Sequence, residues 1–173
     1  HIGLDHFSKA DSEMTIAPQE GRLHRNFQGY TTDTAKTLIA FGASAISTLP
    51  GGFIQNKSAA REYMNAIKEG GLATRRGVGL TDEDRLRSHI IERLMCDFHI
   101  DLDAVCGEFN VSVSDLADDM KKLDPLIADD LVAVDGWHVD VLPRGRMLGR
   151  MACAAFDQYH APNPDKPAHA KAI

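Results

Sequence analysis

The chain has 173 residues, 43% of them hydrophobic and 25% charged, a balance that excludes wholesale disorder and fits one domain or two small ones. No run approaches the ~20 apolar residues of a membrane span, and no basic segment leads into an apolar stretch as a secretory signal would. The net charge of −6 is the wrong sign for a protein that tracks phosphates non-specifically.

Ile2 to Leu4 reads as the end of a buried strand, followed by Asp5, His6 and Phe7. The chain opens on His1 and enters this strand at once, as expected of a piece cut from something longer. Asp11 or Ser12 is placed to cap a helix running to Arg22, because a short side-chain oxygen accepts from the free N–H groups of a first turn. His24 to Thr34 is polar, with Phe27 and Tyr30 around Gly29, and reads as a loop. Leu38 to Ser47 is apolar or small throughout. The expectation there is a strand buried on both faces, as in a parallel sheet, ended by Pro50-Gly51-Gly52.

Ser58 to Glu69 is predicted as a helix stopped by Gly70-Gly71, where glycine takes the left-handed turn of a helix end. Thr81 caps the clearest helix, in which Leu86, Ile90, Leu94 and Phe98 form one apolar stripe. Further helices are expected over 103–109, 113–123 and, as a half-turn, 125–129. Leu131–Val134 and Trp137–Val141 flank Asp135-Gly136 as a hairpin. Arg144 to Tyr159 is predicted as the last long helix, with Met147, Leu148, Met151, Ala155 and Phe156 on its apolar face, and the Pro- and Ala-rich remainder from Ala161 is a tail. The fold class is α+β, mainly helical, with an α/β character before residue 80 and a helical domain after it.

The candidate chemistry is concentrated in few places. Cys96, Cys106 and Cys153 are odd in number and widely spaced, which reads as reduced, half-buried thiols and not as a metal or iron–sulfur set. Helices followed by a hairpin over 81–142 are in the order of a winged-helix DNA-binding domain. The groove-helix candidate, however, carries Asp115, Asp118 and Asp119 against Lys121 and Lys122, which favours a packing module of similar topology. Arg22 to Thr32 holds Arg22, His24 and Arg25 beside Phe27 and Tyr30. It is either a solvated loop or a site for an anion with an apolar body, since a guanidinium fork matches a carboxylate and aromatics cover a ring face. Asp5-His6 stands where a barrel strand would carry a site, or is a structural pair. Gly42 to Ile46 either packs closely against a helix or admits a flat ligand.

Ile2-Gly3-Leu4-Asp5-His6-Phe7, Gly21 to Thr32 with its Arg25-Asn26-Phe27-Gln28-Gly29-Tyr30-Thr31-Thr32 run, and Gly42 to Ser47 together resemble the oxygen-independent coproporphyrinogen III oxidases, radical S-adenosylmethionine enzymes of haem synthesis. Weaker similarity runs through Ala73 to Gly77, the Thr81 helix and Phe156-Asp157-Gln158-Tyr159 to the C-terminus, so that the resemblance covers essentially the whole chain. The resemblance implies that residues 1–50 close a partial (β/α) barrel, 51–80 connect, and 81–160 form a helical domain with a small winged-helix-like hairpin over the barrel mouth, before the 161–173 tail. It implies a [4Fe–4S] cluster whose CxxxCxxC ligands lie upstream, so that this chain supplies no iron ligand and is inactive alone. It implies oxidative decarboxylation of two propionates of coproporphyrinogen III to vinyl groups, giving protoporphyrinogen IX, by radical chemistry drawn from S-adenosylmethionine. Carried over by position, Ile46 contacts S-adenosylmethionine, and Phe27 and Gln28 lie close to it. Arg25, two residues before Phe27, either receives a substrate propionate, as a guanidinium is shaped to do, or braces the loop against Asp5 or a helix end. The implied enzyme is a cytoplasmic monomer with an unidentified electron acceptor and neither nucleic acid nor membrane as partner. A haem-binding chaperone of the same superfamily, or a winged-helix regulator, is the alternative. The chaperones carry His-Asn-x-x-Tyr-Trp where this chain has Arg25 to Tyr30, which favours the oxidase.

Overall fold

The computed structural model describes residues 2–4 and 6–160. The expected Asp5 site and the 161–173 tail lie outside the described residues. The chain forms two units, one joining the first 32 residues to the stretch from Leu86 onward, the other Asp33–Arg85.

In the first unit, α1 (Glu13–Ile16) passes into a 3-10 turn over Ala17–Glu20. This is shorter than the helix expected to Arg22. Ser12 makes no side-chain cap, Pro18 removes a backbone donor, and Gly21 turns left-handed at φ 64°. The stretch expected to be a loop is instead a hairpin of β1 (His24–Asn26) and β2 (Gly29–Thr31), in the register His24 with Thr31 and Arg25 with Tyr30.

The helical part is built on α3 (Asp82–Cys96). Thr81 Oγ1 accepts from the Asp84 amide at 3.1 Å while Asp84 Oδ2 accepts from the Thr81 amide at 2.8 Å, a reciprocal cap. Leu86, Ile90 and Leu94 of its stripe are buried. They pack with α4 (Leu102–Glu108), α5 (Ala117–Lys121), α6 (Asp124–Ala128) and α7 (Gly149–Phe156) around Leu102, Leu123, Val139 and Phe156. The expected hairpin is present. It belongs to a three-stranded antiparallel sheet, in which β8 (His138–Val141) lies between β7 (Val132–Asp135) and β6 (His99–Asp101). The last helix is shorter than predicted, because a 3-10 turn over Arg146–Leu148 precedes α7. Met147, Leu148 and Met151 are exposed, leaving Ala155 and Phe156 to bury.

A charged clamp closes this core. Asp119 is buried and accepts from Arg87 Nη1 at 2.8 Å and Lys122 Nζ at 2.6 Å. Both cations also reach the end of α7, Arg87 donating to the Phe156 carbonyl and Lys122 to the Ala155 carbonyl. A helix C-terminus is the favourable place for positive charge.

The second unit corrects the parallel-sheet expectation. Its sheet is antiparallel, in the order β3 (Ile46–Leu49), β4 (Gly52–Asn56), β5 (Thr74–Gly79), with α2 (Ala60–Lys68) between β4 and β5 in sequence. Strand geometry begins only at Ile46. Ahead of it, Gly42 at φ 110° and Ser44 at φ 63° break the extended run, and Phe41 is 86% exposed. Pro50-Gly51 ends β3, as expected, and turns the chain into β4, which takes in Gly52.

Candidate functional site

Three of the four candidate residues share the β1–β2 hairpin. Its turn is Phe27-Gln28. Asn26 Oδ1 accepts from the Gln28 amide at 2.8 Å and the Gly29 amide at 3.2 Å, so the side chain before the turn fixes the backbone after it. Phe27 is 55% exposed and Gln28 is exposed at the tip. Gly29 has φ 139°, and a Cβ there would come 2.7 Å from His6 Nε2. That position therefore requires glycine for both backbone and space.

Behind the tip, Tyr30 is buried, and its hydroxyl donates to the Met95 carbonyl at 3.0 Å. His6 meets its ring edge-on at 5.0 Å between centroids. A Cβ on Gly3 would collide with the Tyr30 hydroxyl, which explains the glycine between Ile2 and Leu4. The Arg25 guanidinium lies 4.6 Å over the Tyr30 ring, a cation–π contact. Arg25 Nη1 is buried and has no hydrogen-bond acceptor among the described residues. Burial pushes the Tyr30 phenol up, and Arg25 opposes the shift.

Ile46, the fourth candidate, opens β3 in the other unit, opposite Gln55. The segment before it is held by side chains of β4. Asn56 Nδ2 donates to the Gly42 carbonyl at 3.0 Å, and Gln55 Nε2 donates to the Ser44 carbonyl at 3.0 Å. A Cβ on Gly42 would meet nothing within 4 Å, so its φ, and not close packing, selects glycine there. An exposed apolar trough on this sheet, lined by Leu49, Phe53, Ile54 and Val78, was not expected from the sequence. Close approach between β4 and β5 accounts for Gly52, where a Cβ would collide with the Val78 carbonyl, and for Gly77, where it would lie 3.1 Å from the Phe53 carbonyl.

The cysteines do not fit an iron–sulfur cluster. Cys96, Cys106 and Cys153 are free and buried. Burial pushes the Cys96 and Cys153 thiols up to about 12, with Arg93 the main opposing charge at Cys96 and Arg25 at Cys153. Cluster ligands are thiolates. Among the described residues no three His, Cys, Asp or Glu side chains group to hold a metal. Nor is any helix among them long and apolar enough to cross a membrane. In the groove-helix candidate both lysines pair locally, Lys121 with Asp118 at 2.7 Å and Lys122 with Asp119 at 2.6 Å.

Residues 80–148, which take in α4 to α6, the three-stranded sheet and α3, match the family model of the HemN C-terminal domain. Across its length the chain matches the C-terminal portion of oxygen-independent coproporphyrinogen III oxidases. It is 44% identical to that of Bradyrhizobium diazoefficiens over 172 residues, 99% of this chain and 38% of the relative. It is 40% identical to that of Escherichia coli K12 over 159 residues, 91% and 35%. A solved structure of coproporphyrinogen III oxidase from Escherichia coli, described as a radical SAM enzyme, superposes with a TM-score of 0.85 at 40% identity, covering 91% of this chain and 37% of that one. The chain thus spans less than two-fifths of the length of these relatives.

Proposed function

We propose that this chain acts as the C-terminal portion of an oxygen-independent coproporphyrinogen III oxidase. In this reading the chain supplies the closing segment of the enzyme's barrel and, from Thr81 onward, its C-terminal helical domain. The enzyme is a cytoplasmic monomer. Its [4Fe–4S] cluster is held outside this chain, because none of the three buried thiols fits the role. S-adenosylmethionine, when bound, supplies the hydrogen-abstracting chemistry that begins each propionate decarboxylation.

The residues of this chain bind and orient. The exposed Phe27 ring and the Gln28 side chain stand at a turn that Asn26 locks. They hold S-adenosylmethionine. Arg25 receives a substrate propionate. The observation that carries this role is its buried Nη1, which lacks an acceptor among the described residues. A buried cationic donor without a partner is costly, and a carboxylate is the partner its fork fits best. The expected cost of Arg25→Ala is about 1.5–3 kcal/mol of substrate binding, roughly 10- to 150-fold. Equilibrium binding of coproporphyrinogen III to the anaerobic holoenzyme measures it. Unchanged substrate affinity, or an equal loss of S-adenosylmethionine binding, would mean that Arg25 only braces the hairpin through Tyr30.

A further inference from the structure

We infer that Glu92, on the first helix of the HemN C-terminal domain, is the positioning residue for the Phe27-Gln28 turn; this rests on the reading of that turn as a cofactor contact. The β1–β2 ladder has three residue pairs, and an isolated two-stranded hairpin is marginal in water. Its geometry must come from what it is fastened to. Four consecutive residues of α3 provide three anchor points. Glu92 Oε1 accepts from the Arg25 amide at 3.1 Å and lies 3.2 Å from His24 Nδ1. Arg93 Nη2 donates to the Leu23 carbonyl at 2.8 Å, and is itself fixed by Asp97 at 2.9 Å. The Met95 carbonyl receives the Tyr30 hydroxyl at 3.0 Å.

Glu92 stands apart from the other two. The Arg25 N–H points away from β2, on the open edge of β1, and one carboxylate oxygen satisfies it together with the His24 ring. An edge donor left without an acceptor would let β1 twist or fray. The turn lies immediately beyond, so loss of the Glu92 bond displaces Phe27 and Gln28 while the core beneath Leu94 and Val139 keeps its packing. The matched domain spans residues 80–148, and the hairpin lies outside it. On this inference the domain sets the angle of a turn supplied by the preceding segment.

The test compares Glu92→Ala with Glu92→Gln in the holoenzyme. The glutamine keeps an oxygen that can accept the Arg25 amide, and the alanine does not. Glu92→Ala is expected to speed amide exchange at Arg25, Gln28 and Tyr30 by about tenfold or more, the scale of one hydrogen bond to a charged group. Exchange at Val139 is expected to stay unchanged. Its S-adenosylmethionine dissociation constant, from equilibrium dialysis, is expected to rise by about tenfold, and Glu92→Gln to restore both readouts to near the starting values. Unchanged hairpin exchange in Glu92→Ala, or equal loosening at Val139, overturns the inference. A loosened hairpin with unaltered S-adenosylmethionine affinity overturns instead the cofactor reading of the turn, and shows Glu92 to be a fastener only.

Discussion

The stretch from Leu86 to Phe156 and the unit Asp33–Arg85 both contain large apolar residues, and they dispose of them in opposite ways. The first buries Leu86, Ile90, Leu94, Leu102, Leu123, Val139 and Phe156 in one cluster. In the second, no apolar side chain larger than alanine is buried, and Ile39, Phe41, Met64, Ile67, Leu72 and Val78 are exposed. The helical region is therefore held by transfer of apolar surface out of water. The sheet unit is held by ladder bonds and by side chains such as Asn56 and Gln55 that clasp neighbouring backbone. Each such bond contributes only about 1 kcal/mol net. Composition alone does not tell these two regimes apart.

The largest effect expected is at the centre of the first regime. Phe156 is fully buried, so Phe156→Ala is expected to cost about 3–5 kcal/mol. Urea unfolding followed by the fluorescence of Trp137, which packs against the same cluster, measures it. A loss under about 1 kcal/mol would break the claim that one core holds this region.

Alkaline pH sharpens the contrast, because Cys96, Cys106 and Cys153 all lie in the helical region. Burial holds the Cys96 and Cys153 thiols at about 12 in the folded chain, against an unfolded value of about 8.5. Between those values the unfolded thiol has lost a proton that the folded one keeps. Stability is therefore full below the unfolded value and falls as pH rises towards the folded value, by on the order of 1 kcal/mol per unit for each thiol. Burial raises the Tyr30 phenol as well, with the same sign. Urea midpoints in reducing buffer are expected to fall from pH 8 to pH 10, and to fall less in Cys153→Ala. Equal slopes for the two proteins would refute the assignment to the thiol.

How far the sequence was legible follows the same division. The α3 stripe through Leu94, the Thr81 cap and the Asp135-Gly136 hairpin are readable, because a burial period and a capping pair are written locally; Phe98, expected to continue the stripe, lies past the end of α3 at φ 63°. The strand β6 was not, since three residues over His99–Asp101 carry no period and pair with β8 some 40 positions on. The strand β5 was hidden for another reason. Two arginines and two glycines carry no strand period within the 51–80 connection, and only the register with β4 makes them a strand. At the candidate site, the aromatic and cationic content of Arg25 to Tyr30 was visible. The fastening by Glu92 and Met95 was not, because partners some 65 residues away leave no mark on local spacing. The 38–47 run failed most plainly. An unbroken apolar sequence predicts burial on two faces, and residue type alone does not foretell the positive φ values of Gly42 and Ser44.

The smallest effect is expected in that same run, at Phe41. Were it part of a buried strand, Phe41→Ser would cost at least the ~3–5 kcal/mol of a core phenylalanine truncation. In the structure the side chain is 86% exposed, and its neighbourhood is held by polar bonds: the Gly42 amide donates to the Tyr63 hydroxyl at 3.1 Å, and the Ala40 amide to Ser47 Oγ at 3.0 Å. None of these uses the phenyl ring. Phe41→Ser is therefore expected to change stability by no more than about 0.5 kcal/mol, the range for exposed positions. Exchange at the Thr48 amide, which bonds the Leu38 carbonyl across the loop at 2.9 Å, is expected to stay at its original rate. A loss above about 1 kcal/mol, or faster exchange at Thr48, would show that the ring is covered in solution. The Asp33–Arg85 unit would then draw on apolar burial after all, and the distinction between the two regions would fall.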